Sequence, residues 1–173
     1  AFDKDDNLLV PFRTWRNTIT GPASELLSTL FNFPVPERWS VSHFYQAILN
    51  NEEHVSKIAN VYTLAAYIHY KLTGEKVIGV GDASGMFPVE FSADKKSCDY
   101  KKDFVSKFEA LESVNKFGFK IKEVFPKVLM AGENAGKLTE DGAKFLDPEG
   151  DLKAGILMCP PEGDAGTGMV ATN

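Results

Sequence analysis

The chain has 173 residues, 43% hydrophobic and 25% charged, with a formal net charge of −5. That length suits one domain, and the composition excludes a disordered chain, a collagen and a coiled coil. The acidic balance opposes binding to nucleic acid or anionic membrane, no apolar run approaches the ~18 residues that span a bilayer, and the polar residues 1–6 are unlike a secretory signal.

The opening residues read as irregular and 8–12 as extended, and 3–12 as the second half of a hairpin whose first half is absent. Thr20-Gly21-Pro22 predicts a helix start, with proline in the first turn where its missing N–H costs nothing. Ala23, Leu26, Leu27, Leu30 and Phe31 then follow the period of an amphipathic helix, which Pro34 and Pro36 end. Ser40 is placed to cap a second helix that buries Phe44, Ala47 and Ile48, and the helical pattern restarts at Asn50. Val61, Leu64, Ala65, Ile68 and Leu72 form the longest apolar stripe, closed by Gly74 as a C-cap. Residues 76–80 predict a short strand, 81–88 a loop, and 94–102 a charged, exposed stretch. Phe104, Phe108, Leu111 and Val114 mark one helix stopped by Gly118. Residues 124–130 read as extended, 132–136 as a turn, 139–146 as a short helix and 154–159 as a buried strand. That strand runs into a glycine-rich acidic loop, and a helix is expected from Gly166 or Thr167. The late helix and the unpaired opening lead us to expect a piece of a longer polypeptide, which an intact mass set against the natural reading frame would test.

Cys98 and Cys159 lie far apart, with no CxxC spacing and no histidine cluster nearby. Reduced, buried or half-buried thiols of a cytoplasmic protein are expected, and no metal-binding residues are assigned. His43, His54 and His69 share no motif. The glycines between 79 and 85 match neither nucleotide loop: no lysine follows Gly85, and the sixth position of a GxGxxG pattern is Ser84. A packed turn is the better use for them. No G-x-S-x-G elbow supports a hydrolase.

Two segments carry candidate chemistry. Asp164 follows a predicted strand inside a glycine-rich loop, where a carboxylate either caps the next helix or takes a proton from a substrate hydroxyl. Residues 12–17 set Trp15 beside Arg13, Arg16 and Asn17. An aromatic ring stacks on sugar and the polar groups bond hydroxyls; alternatively Trp15 is core and the arginines are solvated.

Taken together, five segments resemble the FGGY carbohydrate kinase family, and xylulokinases in particular. Residues 11–17 resemble its W-x-D segment, with Trp15 in place and Asn17 where the family has aspartate. Leu72-Thr73-Gly74-Glu75 is similar to the L-T-G-E turn, and Gly81-Asp82-Ala83-Ser84-Gly85 to the S-D-A-S-G segment. Val128, Gly132 and Gly136 fit the V-x-x-x-G-x-x-x-G hairpin, and Pro161-Glu162-Gly163-Asp164 resembles the G-G-D loop.

The resemblance implies an α/β fold, part of an actin-like, ribonuclease H-like ATPase domain, helix-rich and truncated at both ends. Residues 1–173 would be part of the N-terminal, sugar-binding domain, without its first strands and without the C-terminal ATP-binding domain. It implies ATP-dependent phosphorylation of a sugar hydroxyl, the first guess being a pentulose such as xylulose or a related polyol. Asp164 would be the general base, and Trp15, Asn17 and Gly163 would line the sugar site. ATP and Mg²⁺ would be held mainly by parts outside this chain, so the fragment alone would be inactive. The implied partners are sugar and ATP, with no nucleic acid or membrane, in a cytoplasmic parent that would be a homodimer. The alternative is a non-catalytic carbohydrate-binding or interaction module of the same ancestry. The resemblance gives no role to His43, Arg16 or Thr167.

Overall fold

The computed structural model describes residues 1–14 and 16–172; the side chains of Met169 and Val170 also lie outside the description. The chain is a mixed α/β protein that divides into two compact units.

The first unit comprises Ala1–Val61, Gly85–Glu90 and Tyr100–Phe125. It holds α1 (Gly21–Phe31), α2 (Ser40–Leu49), α5 (Lys102–Glu109), α6 (Glu112–Asn115) and α7 (Ile121–Val124). α1 forms where the proline and the apolar period predict it and ends at Asn32 in the left-handed conformation, φ 48°. Ala23, Leu27 and Phe31 are buried, whereas Leu26 is exposed. α2 starts at the predicted place, but Trp39 is its N-cap and Ser40 supplies no cap bond. Its first amides donate instead to the carbonyls of Gly85 and Met86. Gln46, buried on α2, accepts a hydrogen bond from the Ala23 amide at 3.1 Å and so satisfies a first-turn donor of α1. The core is aromatic. Phe108 is fully buried, its ring centroid 5.7–6.2 Å from those of Phe44, Tyr45 and Phe87. The single helix expected over 104–118 is two, because Ala110 and Leu111 break the run between α5 and α6. The opening is a hairpin with both halves present: Phe2 bridges Leu8, and the Leu9 amide donates to the Ala1 carbonyl at 3.0 Å.

Tyr62–Ser84, Phe91–Asp99 and Pro126–Asn173 form the second unit. It holds α3 (Leu64–Thr73), β1 (Val77–Gly79), α4 (Val80–Ala83), β4 (Lys127–Leu129), α8 (Glu140–Leu146) and α9 (Asp164–Ala171). β1 and β4 pair in parallel, with Ile78 opposite Val128. β2 (Val89–Phe91) and β3 (Cys98–Tyr100) form a separate two-stranded ribbon, so the 94–102 stretch expected to be exposed contains a strand in which Cys98 and Tyr100 are buried. Of the stripe predicted around α3 only Leu72 is buried. Leu64 and Ile68 are exposed, Val61 and Ala65 are half-buried, and Ala66, His69 and Thr73 turn inward with Leu72. His69 is held there by a 2.8 Å bond between Nε2 and the Ala135 carbonyl. Residues 154–159 are not a buried strand. They run against 135–138 through backbone hydrogen bonds from the amides of Ala135, Leu138, Gly155 and Met158, around the bridge of Lys137 to Leu157; Ile156, Leu157 and Cys159 stay exposed, and Met158 packs against Leu72, Leu138 and Ala143. Among the described residues no helix is long and apolar enough to cross a membrane.

α3 and α8 approach closely enough to require glycine. The Thr139 amide and hydroxyl both donate to the Leu72 carbonyl at 3.0 Å, and a Cβ on Gly142 would overlap that oxygen. Gly142→Ala is therefore expected to lower stability by about 1–3 kcal/mol, as overpacking against rigid backbone does. Urea unfolding measures this; an unchanged midpoint would contradict the contact.

Candidate active site

The sequence places three carboxylates, Asp82, Glu162 and Asp164, where two loops of the second unit meet. After β1 the chain turns at once into α4, whose N-cap, Gly79, provides no capping side chain. The 160–163 segment compensates. The Gly79 amide donates to the Pro161 carbonyl at 2.8 Å, and Glu162 accepts from the amides of Gly81 (3.1 Å) and Asp82 (2.8 Å). This approach depends on glycine. A Cβ on Gly79 would collide with Glu162 Oε1 and lie 2.8 Å from the Pro161 carbonyl, and one on Gly81 would lie 2.6 Å from Glu162 Oε2. The packed turn expected for these glycines is what the structure shows.

Asp82 projects from α4 and is half-buried. Its Oδ2 accepts the Thr63 hydroxyl at 2.6 Å, while that hydroxyl, at the N-cap of α3, also accepts from the Ala66 amide. Asp82 Oδ1 faces Gly163, 3.4 Å from where a Cβ would stand. Burial pushes the Asp82 carboxyl above the usual range; the Thr63 hydroxyl opposes this, and the charges of Glu162 and Asp164 add to it. A folded-state pKa raised above the unfolded value costs stability at every pH above it, and the cost vanishes below the unfolded value, near 3.8. Asp82→Asn is thus expected to raise the melting midpoint at pH 7–8 and to leave it unchanged near pH 3. Scanning calorimetry at both pH values checks this; a gain of equal size at both would contradict it.

Gly163, extended at φ −72° and ψ 159°, is the N-cap of α9, and Asp164 is the first helical residue. The helix therefore begins two to three residues before the expected place. The Asp164 side chain makes no cap bond; it is exposed and, among the described residues, its carboxylate has no hydrogen-bond partner. The N-cap of α9 is Gly163 and not Asp164. It also adds a negative charge in the first turn, where the helix dipole favours one.

Of the remaining predicted site residues, Trp15 lies outside the described residues. Asn17 belongs to the first unit and lines an open cavity of about 510 Å³ with Arg13, Thr14 and Arg16. Its Oδ1 accepts the Ile19 amide at 3.1 Å, and Arg13 is paired with Glu52 at 2.5 Å. Gly163 and Asp164 do come together with Asp82. Asp82 and Glu162 stand in the quoted motifs without an assigned role, and Thr63 was not singled out from the sequence. The available signals were a threonine directly before an apolar helical run and an acid two residues before Asp164.

No family model matches the chain, and no curated protein matches it. Solved structures do. A xyloylose kinase from Brucella ovis superposes with a TM-score of 0.66 at 20% identity, over 95% of this chain and 31% of that one. A gluconate kinase from Lactobacillus acidophilus gives 0.71 at 14% identity, over 94% and 31%. A ligand-bound xylulose kinase from the same organism gives 0.70 at 14% identity, over 99% and 33%. The chain carries a sugar-kinase fold. It spans about a third of the length of the sugar kinases it matches, and at these identities the likeness is one of fold.

Proposed function

We propose that the chain is part of the sugar-binding domain of an ATP-dependent carbohydrate kinase, with Asp164 as its general base. The observation that carries this reading is an aspartate at the start of a helix, exposed and unspent on capping, within a sugar-kinase fold. The ordered motifs and the kinase neighbours support it. In this reading the sugar hydroxyl is held beside Asp164, whose carboxylate takes the proton as the oxygen attacks the γ-phosphorus of ATP. The bond from that phosphorus to the ADP oxygen breaks, giving sugar phosphate, ADP and a protonated Asp164 that then releases its proton to water. Catalysis of this kind rests mainly on positioning.

A ketopentose such as xylulose is the preferred substrate, with Asn17, Gly163 and Trp15 lining its site and ATP held by the rest of the kinase, in the cytoplasm. Magnesium would accompany ATP. Among the described residues no group of three or more His, Cys, Asp or Glu side chains is arranged to hold a metal. The fragment alone is inactive in this reading. A coupled ADP-release screen of the complete kinase against ketoses, polyols and sugar acids tests the assignment. Turnover with a ketopentose above all others is expected, and no sugar-dependent ADP release with any of them would contradict it.

A further inference from the structure

We infer that Glu162 is a positioning residue for Asp164: its carboxylate ties the 160–163 segment to α4 and so sets where the first residue of α9 stands. The inference rests on the reading of Asp164 as general base. Three bonds hold the segment, two of them from backbone amides to the Glu162 carboxylate and the third from the Gly79 amide to the Pro161 carbonyl. Only Gly163, which has no side chain of its own to anchor it, separates this clamp from Asp164. Displacing Glu162 therefore leaves the start of α9 with little to fix it against α4.

The choice of residue also needs explaining. Glu162 sets a third negative charge beside Asp82 and Asp164, and its charge disfavours ionisation of Asp82. A carboxylate offers two acceptor oxygens to two adjacent amides, which a glutamine cannot do, since one of its terminal atoms is a donor. The alanine-free sequence Gly79-Val80-Gly81 leaves the room those oxygens occupy. Misplacing a catalytic group by about 1 Å costs on the order of 10²-fold in rate.

The test is a double-mutant cycle in the complete kinase, with steady-state kinetics and thermal unfolding of every variant. E162Q is expected to lower kcat by about 10- to 100-fold, with KM for ATP unchanged and a cooperative unfolding transition retained. In a D164N background the same change is expected to cost less than about twofold, because a residue that acts through Asp164 has nothing left to position. Equal losses in both backgrounds, a loss confined to KM, or wild-type kcat in E162Q overturns the inference. Should E162Q fail to fold, G81A supplies an independent route. Its Cβ would stand 2.6 Å from Glu162 Oε2 and evict the carboxylate, at a helical position where alanine is otherwise favoured. G81A is expected to show the same split between the two backgrounds, and wild-type kcat in G81A overturns the inference. The two layers separate cleanly: an inactive D164N beside a fully active E162Q removes the positioning role alone, whereas a D164N of near wild-type rate removes the base itself and this inference with it.

Discussion

Asp164→Asn in the complete kinase is expected to lower kcat by about 10²- to 10⁴-fold, the range that a positioned general base contributes. The amide keeps the size of the side chain and its place at the start of α9 but cannot take a proton. Since the carboxylate is exposed and makes no bond to its own helix, its loss removes no contact within the fold. Circular dichroism is therefore expected to match the wild type, and the unfolding free energy to stay within about 1 kcal/mol of it, the scale of the lost first-turn charge, while turnover falls. A rate within tenfold of wild type would remove Asp164 as the base. A fall in rate accompanied by a fall in stability would show that the side chain has a structural role the geometry does not reveal.

Phe108→Ala is expected to have the opposite signature. The ring is fully buried against Phe44, Tyr45 and Phe87, and its removal leaves a cavity among side chains too large and stiff to collapse into it. A loss of about 3–5 kcal/mol is expected, a large share of the roughly 5–15 kcal/mol by which a domain is stable. Urea unfolding followed by tryptophan fluorescence measures it. A cost below about 1 kcal/mol would mean that the aromatic cluster is not the core of its unit. Activity lost in this variant would track the folded fraction, unlike that of Asp164→Asn.

Much of this was legible in the sequence where local chemistry decides the outcome. The proline at the start of α1, Gly74 at the end of α3 and Thr139 at the start of α8 impose their structures through φ preference and capping, and all three appear where expected. Misreadings arose where a distant partner decides. The α3 stripe through Leu64 and Ile68 has the right period, but the helix turns the face carrying His69 inward, because that ring finds the Ala135 carbonyl 66 residues away. Residues 154–159 are apolar enough for a buried strand, yet only Met158 packs against the core, and Ile156, Leu157 and Cys159 stay in solvent. Periodicity ranks faces by hydrophobicity and carries no information on which neighbour exists.

The site divides in the same way. Asp164 stood out because glycines surround it. Glu162 did not, since its partners, the amides of Gly81 and Asp82, lie about 80 positions earlier in the chain. The glycines at 79 and 81 were correctly read as making a packed turn, but what packs there is the carboxylate of Glu162, which only the folded chain reveals. Thr63 likewise reads as an ordinary helix cap until Asp82 is brought to its hydroxyl.

The most direct test is a crystal structure of the complete kinase with its sugar bound. The hydroxyl that receives phosphate is expected within hydrogen-bond reach of an Asp164 carboxylate oxygen, about 2.6–3.2 Å, directly or through one water. A sugar seated with no hydroxyl in reach of that carboxylate, and with another acidic side chain or a histidine beside the reacting oxygen, would contradict the assignment.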